Sequence, residues 1–365
     1  MKTWNYVKLG AELHVIVQVL IYTLPLAMFG LYRPASPQLL LFFQRNALIQ
    51  LLLFVLTVQI PCYLTGKMWY VDIGWPTGLT MIGLNCVAMG DGLPLRKYLV
   101  CGCMVLHGGR MCVGAVALFG SHSKWTFRLP EDLSRYRFAK EQWVRKEGMP
   151  ESTWWIKAQQ ETLQQGFMNT CYLCLPCALA AFNPAPHIAL LEVLGLQLWV
   201  LSYLFENVAD LQKNSFAREV KQFRTAGAGA PVLGLSPWDT KYWLWGVVRH
   251  PNYLGEWGCW CGWALIGASQ VGDVMPEPEA RLVFWTALAL LPVLLYDCLV
   301  YWTGAGPAEY YSVQRRPGYR DYQAAVPCLF PSFVGEVFDL GQHRRRGWPG
   351  MVVAGGSVEK NGKKE

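Results

Sequence analysis

The chain is organised around the stretch Arg249-His250-Pro251-Asn252-Tyr253-Leu254-Gly255-Glu256. Its polar side chains stand at the mouth of an apolar segment that begins at Trp257 and carries no charge through Gln270. Because polar groups are costly to hold near hydrocarbon, we expect this octet to bind something polar. Pro251 fixes one backbone angle and favours an extended residue before it, so we expect a helix to begin here. The alternative is a basic cap at a membrane interface, with both basic residues facing water.

The composition is that of a membrane protein. Of the 365 residues, 53% are apolar, 14% are aromatic and only 16% are charged, which is too apolar for an ordinary soluble enzyme. The 17 Trp and 17 Tyr also suit a surface that meets lipid headgroups. The first apolar run, from about Val15 to Leu31, lacks a small-residue cleavage pattern, so we expect it to remain as a helix.

The net charge of +7 is modest, and its distribution is more informative than its size. Lys and Arg collect in the segments 124–157 and 213–249 and after Arg315, while the apolar runs hold very few. Basic loops of this kind stay on the cytoplasmic side and attract anionic lipids or anionic cofactors. No basic stripe interleaved with stacking aromatics stands in a soluble context, so nucleic acid is not an expected partner.

The apolar runs predict an all-α, multi-pass transmembrane bundle of about seven to nine spans, since a spanning helix needs about 20 mostly apolar residues. The expected spans are 12–32, 46–66, 72–91, 97–120, 167–183, 187–206, 256–271 and 281–303. Eight spans put both chain ends and the basic loops 121–166 and 207–249 on one side, in agreement with the charge rule. None of the runs alternates as a spanning strand would.

The chain is expected to fall into three parts. Residues 1–70 form N-terminal membrane helices, 71–335 a membrane domain, and 336–365 a basic tail that is expected to be disordered. The loop 121–166 mixes charge signs, and its run from Phe138 to Lys146 is typical of a short amphipathic helix on a membrane surface.

Three ionisable residues occur where lipid is expected. Asp72 lies at the edge of an apolar span, and His107 and Arg110 lie three apart within another, so on a helix they share one face. A buried Arg needs an acidic or carbonyl partner, and Asp72 is a candidate. Either Asp72 and Arg110 form a structural pair that joins two helices, or the three residues line a polar pocket inside the bundle.

Two further clusters are candidates for binding a ligand. Glu206, Asp210 and Lys213 stand at the end of the sixth span, and the first two are four apart, on one helix face. The last segment places Tyr311 and Tyr322 among several Arg, and cations beside phenols can hold phosphates and a flat ring. The plainer alternatives are a helix that turns polar as it leaves the membrane and a basic interfacial tail.

Two motif matches are incomplete and are set aside. Cys171-x2-Cys174-x2-Cys177 begins like an iron–sulfur ligand set, but position 181 is Ala, so no metal is expected. Gly227-Ala228-Gly229 begins like a dinucleotide fingerprint, but Val232 stands where the third Gly is needed. The twelve Cys lie mostly in apolar runs, where a thiol is a small apolar side chain and disulfides are not expected.

Taken together, the motifs resemble those of the steroid 5-alpha-reductase-like membrane reductases, in particular their DUF1295 branch, over about residues 72–331. The matching pieces, in the order of that family, are Asp72-x-x-Trp75, Arg110 in a membrane helix, Glu131-Asp132 with Arg135-Tyr136, Ala209-Asp210-x-Gln212-Lys213, Arg249-His250-Pro251-Asn252-Tyr253 with Gly255-Glu256, and Tyr319-x-x-Tyr322 followed by Pro327 and Pro331. Each piece is weak alone, and together they are specific for the superfamily.

The resemblance implies a helical bundle that holds NADPH in a cytoplasm-facing cavity and reduces a carbon–carbon double bond conjugated to a carbonyl in a sterol, steroid or other lipid. It implies that Asp210, Asn252, Glu256 and Tyr311 line the cofactor and that Asp72 lies near the substrate carbonyl. In a eukaryote, the endoplasmic reticulum membrane would be the expected location.

The predicted site combines this resemblance with the residue patterns. Its catalytic residues are Asp72, His107 and Arg110, and no metal is included. The predicted cofactor-binding residues are Glu206, Asp210, Lys213, Arg249, His250, Asn252, Tyr253, Glu256, Tyr311 and Tyr322. Where the steroid enzymes have Tyr and Glu, this chain has His107 and Asp72. A His whose pKa is tuned by Asp72 can still donate a proton.

Two other functions stay open on the sequence. The Arg-His-Pro-x-Tyr stretch and the ending Tyr319-x-x-Tyr322 with Val326-Pro327 are also similar to isoprenylcysteine carboxyl methyltransferases, which use S-adenosylmethionine. A protein that kept the bundle and lost the chemistry would bind lipid without catalysis. The identity of the substrate and the oligomeric state do not follow from the sequence.

Overall fold

The computed structural model describes residues 19–31, 36–124, 131–223, 231–235, 238–316 and 318–331, and the single residues 16, 34 and 126. Within these residues every regular element is a helix, which confirms the all-α prediction. The helices are α1 Val19–Gly30, α2 Pro37–Thr65, α3 Val71–Met89, α4 Pro94–His122, α5 Ser134–Glu147, α6 Trp154–Cys171, α7 Leu175–Ala181, α8 Leu190–Phe223, α9 Trp243–Val247, α10 Pro251–Val274, α11 Pro278–Asp297, α12 Ala305–Arg315 and α13 Tyr319–Ala325. The tail 336–365, the start of the span 12–32 and Gly227-Ala228-Gly229 lie outside the described residues.

Within the described part of the chain, three helical stretches are long and apolar enough to cross a membrane, which indicates a membrane protein. They are Pro37–Thr65, Pro94–Ser121 and Pro278–Arg315. They contain all but the last residue of the predicted span 46–66 and the whole of the spans 97–120 and 281–303. The full number of spans and the three-part division at residues 70 and 335 stay predictions.

Two predicted spans differ from the helices that form. The predicted span 167–183 is interrupted, because α6 ends at Cys171 and α7 begins at Leu175. Pro176 lies in the first turn of α7, where its missing N–H is harmless, but a continuous helix would bring its ring against the carbonyl of Tyr172. The sixth predicted span was expected to end near Glu206, whereas α8 continues to Phe223. Polar residues do not end a helix, and this stretch lacks Gly and Pro.

The predicted amphipathic helix of the 121–166 loop is confirmed as a helix. It is α5, which ends where Gly148 adopts a left-handed conformation, with φ of 62°. Tyr136 and Trp143 lie seven residues apart, so they share a face, and both are buried. The loop is nevertheless more helical than predicted, since α6 begins inside it at Trp154.

The chain forms two compact units, and the first comprises Met1–Leu204 and Gly255–Asp297. Glycines let its helices approach closely: an added Cβ at Gly83 would lie 2.8 Å from the carbonyl oxygen of Cys101, and one at Gly108 would lie 2.7 Å from that of Pro76. These two contacts fix α3 against α4 and make the two helices antiparallel. Larger residues there would force the helices apart.

At one end of this unit a buried ion pair joins α4 to α8. Arg96 donates from Nε to Glu192 at 3.0 Å and from Nη1 to the carbonyl oxygens of Asn183 and Ala185 at 3.0 and 3.1 Å. The Arg96 and Glu192 side chains are 1% and 6% exposed. Because the guanidinium also donates to carbonyl oxygens of the segment that precedes α8, the Arg96 side chain joins both α8 and that segment to α4.

The second unit comprises Phe205–Leu254 and Cys298–Glu365. Trp245 is central to it: its indole N–H donates to the carbonyl oxygen of Ala209 at 3.1 Å, and its own carbonyl accepts from the hydroxyl of Tyr322. Gly234 has φ of 89°, and an added Cβ would collide with the Trp245 carbonyl. Only glycine can adopt this positive φ and also leave room for the Trp245 carbonyl.

We expect Arg96→Met to destabilise the protein by about 3–5 kcal/mol, because it leaves the Glu192 carboxylate buried without its cation. Thermal unfolding in detergent, followed by circular dichroism, measures the change. The matched control is Arg137→Met, which removes the partner of Glu131 in an ion pair whose side chains are 36% and 71% exposed. An equal loss in both variants would show that burial does not set the contribution of Arg96.

Candidate functional site

A histidine and a glutamate form a buried ionisable pair in the first unit. Nε2 of His107 lies 3.2 Å from both carboxylate oxygens of Glu256. His107 is fully buried and Glu256 is 6% exposed. The indole N–H of Trp260 donates to the same carboxylate at 2.7 Å. Sequence analysis placed these two residues in different roles, one catalytic and one cofactor-binding, and the structure brings them into direct contact.

The packing of α8 on α10 positions this pair. An added Cβ at Gly262 would lie 2.7 Å from the Gly195 carbonyl oxygen and 2.9 Å from the Trp199 nitrogen, and one at Gly258 would collide with Ser202. The two helices therefore touch along their backbones. This contact brings the large rings of α8 next to those of α10.

Three aromatic side chains, the aromatic box, surround His107. Its ring centroid lies 6.3 Å from that of Trp199, 6.0 Å from Tyr203 and 6.1 Å from Trp260. Trp199 and Tyr203 stack on each other at 4.9 Å. The guanidinium of Arg110 lies 5.3 Å from the Tyr203 ring, in the range of a cation–π contact. His107 and Arg110 therefore share one face of α4, as their spacing predicted.

Asp72 belongs to a different group of residues. It accepts a hydrogen bond from the hydroxyl of Tyr136 at 2.8 Å and pairs with Arg135 at 2.6 Å. Thr77 contacts Cys112 at 3.1 Å, and α3 runs antiparallel to α4. Asp72 is therefore about three helical turns, roughly 15 Å, beyond the level of His107 along the pair.

The predicted acidic partner of His107 is thus corrected. The carboxylate at its Nε2 is that of Glu256 and not that of Asp72. Register explains the difference, because five residues separate His107 from Cys112 and another five separate Asp72 from Thr77, which Cys112 contacts. Sequence spacing identified the helix face of His107 but carried no information on which distant helix covers it.

In the second unit, Glu309 holds both basic residues of the octet. Nε of Arg249 donates to Oε1 of Glu309 at 2.7 Å and Nη2 donates to Oε2 at 3.2 Å. Nη1 donates to the carbonyl oxygens of Gln323 and Val326. Nε2 of His250 lies 2.8 Å from the same Oε1. The backbone N–H groups of Arg249 and His250 also donate to carbonyls, at Pro327 and Cys328.

The alternative of a basic cap that faces water is therefore wrong. Arg249 is 2% exposed and His250 is 6% exposed. Four hydrogen bonds occupy the guanidinium inside the unit, so Arg249 acts as a positioning residue for the turn that starts α10. The helix does begin at Pro251, as predicted.

The sequence analysis did not predict a role for Glu309, although it considered Tyr311 and the Arg residues of the same segment. A signal was present, since Glu309 is the only acidic residue between Asp297 and Asp321. A lone carboxylate in a segment rich in apolar and aromatic residues requires a cation, and the octet supplies one.

Burial lowers the pKa of His250 below its ordinary value, and the Glu309 carboxylate opposes that shift through its hydrogen bond and its charge. For Arg249 burial also works against the charged form, but Glu309 outweighs it and raises the pKa. At neutral pH the group therefore holds one guanidinium and a neutral imidazole against one carboxylate. Cys328 brings a third possible ligand atom within 4.8 Å of His250 and Glu309. The Arg249 guanidinium beside that carboxylate disfavours a metal cation there.

Nine of the ten predicted cofactor-binding residues lie in the second unit; Glu256 lies in the first. Nδ2 of Asn252 donates to Asp210 at 3.1 Å, and Tyr253 stacks on His250 with the ring planes 4° apart. Lys213 lies 5.6 Å above the Trp245 ring. Tyr322 is 2% exposed with its hydroxyl bound to a backbone carbonyl, so its geometry is structural.

The remaining two predicted residues are Tyr311 on α12 and Glu206 on α8. The ring of Tyr311 lies 5.0 Å from that of Tyr310, and the guanidinium of Arg315 lies 5.8 Å from it. Glu206 is buried on α8, one turn before Asp210 and on the same face, as its spacing predicted.

Residues 53–326, the larger part of the chain, match the family model described as protein of unknown function, DUF1295. The chain belongs to the DUF1295 family. The resemblance to that branch is thereby confirmed, while its link to the steroid 5-alpha-reductases stays a prediction. No curated protein and no solved structure matches this DUF1295 protein.

We expect the stability of this DUF1295 protein to fall as the pH drops below about 6.5, the ordinary pKa of His. Because the folded-state pKa of His250 is lowered, the unfolded chain takes up its proton first, and the contribution of His250 is lost as the pH falls through the folded-state pKa. Unfolding temperatures in detergent between pH 8 and pH 5, a range of about three units around that pKa, measure this. His250→Gln should flatten the profile, whereas His187→Gln, at a side chain that is 66% exposed, should not. Parallel profiles for all three proteins would exclude His250 as the cause.

Proposed function

We propose that the protein is an integral-membrane enzyme that uses NADPH to reduce a carbon–carbon double bond conjugated to a carbonyl in a lipid. The observation that carries the proposal is the buried His107–Glu256 pair inside the aromatic box. An imidazole paired with a carboxylate in an apolar, ring-lined environment is costly for stability alone and suits proton transfer to a flat apolar substrate. The family resemblance supplies the reaction class, and the geometry supplies residues for it.

The second unit offers groups that fit a phosphorylated dinucleotide. Asn252 uses its Nδ2 on Asp210, and its buried Oδ1 has no hydrogen-bond donor within the described part of the chain. A carbonyl oxygen in that state suits a ligand that donates an N–H or O–H, as carboxamides and riboses do. Lys213 and Arg315 add cations beside aromatic rings, which suits phosphate and a flat base. These residues, with Tyr311, would hold NADPH, which supplies the hydride when bound.

In the first unit, the residues of the box would handle the carbonyl end of the substrate. Hydride addition at the carbon beta to a carbonyl moves negative charge onto the carbonyl oxygen. His107 would deliver the proton that the carbon alpha to the carbonyl takes up to complete the reduction, while Glu256 would orient the ring and stabilise its protonated form. Arg110, held over Tyr203, would add positive charge nearby. The aromatic rings exclude water, which strengthens each of these interactions.

NADPH and NADP⁺ should raise the unfolding temperature of the purified protein, because a ligand that binds only the folded state stabilises it by about 2.7 kcal/mol at a hundredfold excess over Kd. Asn252→Ala should reduce this effect, and Asp239→Asn, on an exposed turn of the same unit, should leave it unchanged. Stabilisation by S-adenosylhomocysteine in place of NADP⁺ would instead support a methyltransferase. Stabilisation by neither would favour a non-catalytic lipid-binding protein.

His107→Gln and Glu256→Gln should each lower the rate of NADPH oxidation with a 3-keto-4-ene steroid by about 10²–10⁴-fold, the usual contribution of a positioned acid. Both variants should still be stabilised by NADP⁺, since they lie outside the proposed cofactor residues of the second unit. His187→Gln controls for the loss of an imidazole at an exposed position. Full activity of either variant would exclude the substituted residue from the mechanism.

A further inference from the structure

Two buried tryptophans have indole N–H groups without an acceptor: one is a wall of the aromatic box around His107, and the other is its neighbour. They are Trp199, 3% exposed, and Trp263, fully buried. Neither Nε1 has a hydrogen-bond partner among the residues that the structure describes. Since nearly all buried polar groups in proteins are hydrogen-bonded, two such donors in one place require an explanation.

The other indoles on α10, and the indole on the adjacent helix α11, do donate to acceptors. Trp260 donates to Glu256 at 2.7 Å, Trp257 donates to the carbonyl oxygen of Pro292 at 3.0 Å, and Trp285 donates to that of Ala268 at 3.0 Å. Even an indole that is partly exposed, such as that of Trp285, has a backbone partner. Among the described tryptophans of α8, α10 and α11, Trp199 and Trp263 are therefore the two with unmet donors; the indoles of Trp69 and Trp154, on other parts of the chain, also lack an acceptor.

Trp199 lies at the candidate site, and Trp263 is fully buried beside it. Their centroids are 5.7 Å apart, and Trp199 is one wall of the aromatic box around His107. The Cβ of Trp199 lies against the backbone of Gly262, and the Trp199 ring stacks on Tyr203. A ring held on several sides keeps its N–H direction, and a preorganised donor costs nothing to orient when a ligand arrives.

We propose that the indole N–H groups of Trp199 and Trp263 bind the carbonyl oxygen of the lipid substrate and make the site select a ketone over the corresponding alcohol. This proposal rests on the proposed function, because it assigns the substrate end of that reaction. An indole nitrogen only donates, and a ketone oxygen only accepts, with two lone pairs for two donors. An alcohol oxygen can also accept from both indoles, but its own O–H then needs an acceptor where the two indoles supply only donors, and that unmet donor weakens its binding.

The two indole donors also favour the reaction that the site is proposed to carry out. Negative charge grows on the carbonyl oxygen as the double bond is reduced, and fixed donors in a water-poor site interact more strongly with that charge than with the neutral ketone. Trp199 and Trp263 are then specificity-determining residues, while His107 is the catalytic one.

The test measures binding of two probes that differ only in the oxygen, cholest-4-en-3-one and cholest-4-en-3-ol, to the full-length protein in nanodiscs. Wild type should bind the ketone more tightly. Trp199→Phe and Trp263→Phe keep a ring and remove the N–H, and each should weaken ketone binding about tenfold while changing alcohol binding less than about twofold. Trp285→Phe is the matched control, since it removes an indole outside the site, and it should change neither.

A second measurement does not depend on the variants being well folded. With ¹⁵N-labelled indoles in wild type, the ketone should shift the two N–H resonances that disappear in the Phe variants and leave the Trp285 resonance in place. No ketone binding, unchanged ketone affinity in both Phe variants, or equal loss for ketone and alcohol would each overturn the proposal. Stabilisation by NADP⁺ is measured separately. If the protein binds the ketone selectively but NADP⁺ does not stabilise it, the role of the two indoles stands and the proposed redox function is rejected.

Discussion

A charge placed inside an apolar helical protein must have a partner, and this constraint determines how both units are built. In the first unit Arg96 is paired with Glu192 and His107 with Glu256, each between helices far apart in the sequence. In the second, one carboxylate holds both basic residues of the octet. Each pair is costly to bury and very costly to break, so it fixes which helices meet. Apolar packing alone would tolerate many arrangements of such uniformly apolar helices.

Close backbone contact is the second constraint, and it acts together with the first. Gly195 and Gly262 bring α8 and α10 together, and this contact allows a Trp, a Tyr and a second Trp to crowd around a single imidazole. With side chains at those glycines the helices would separate and the rings would have room to rotate. Small residues therefore make possible the large ones at the candidate site.

The sequence predicts well what is local in the chain. Pro251 marked a helix start, three-residue spacing put His107 and Arg110 on one face, and apolar runs located the three long helices. Pairing across the fold was not predictable in this way. Glu309 is 60 residues from Arg249, and Glu256 is 149 residues from His107. A one-dimensional pattern records that a buried charge needs a partner, but the register between helices decides which residue it is.

The octet, which the sequence marks most strongly, therefore discriminates least between functions. The Arg249 guanidinium and Nε2 of His250 are engaged by Glu309 and by backbone carbonyls, so these atoms serve the fold, and a turn built in this way fits a reductase and a methyltransferase equally. Recognition requires polar atoms that the fold itself leaves unused. Within the described residues these include the amide oxygen of Asn252 and the indole N–H groups of Trp199 and Trp263. The chemical identity of what binds depends on these atoms, because only a ligand with matching donors and acceptors recovers the hydrogen bonds that burial took from them.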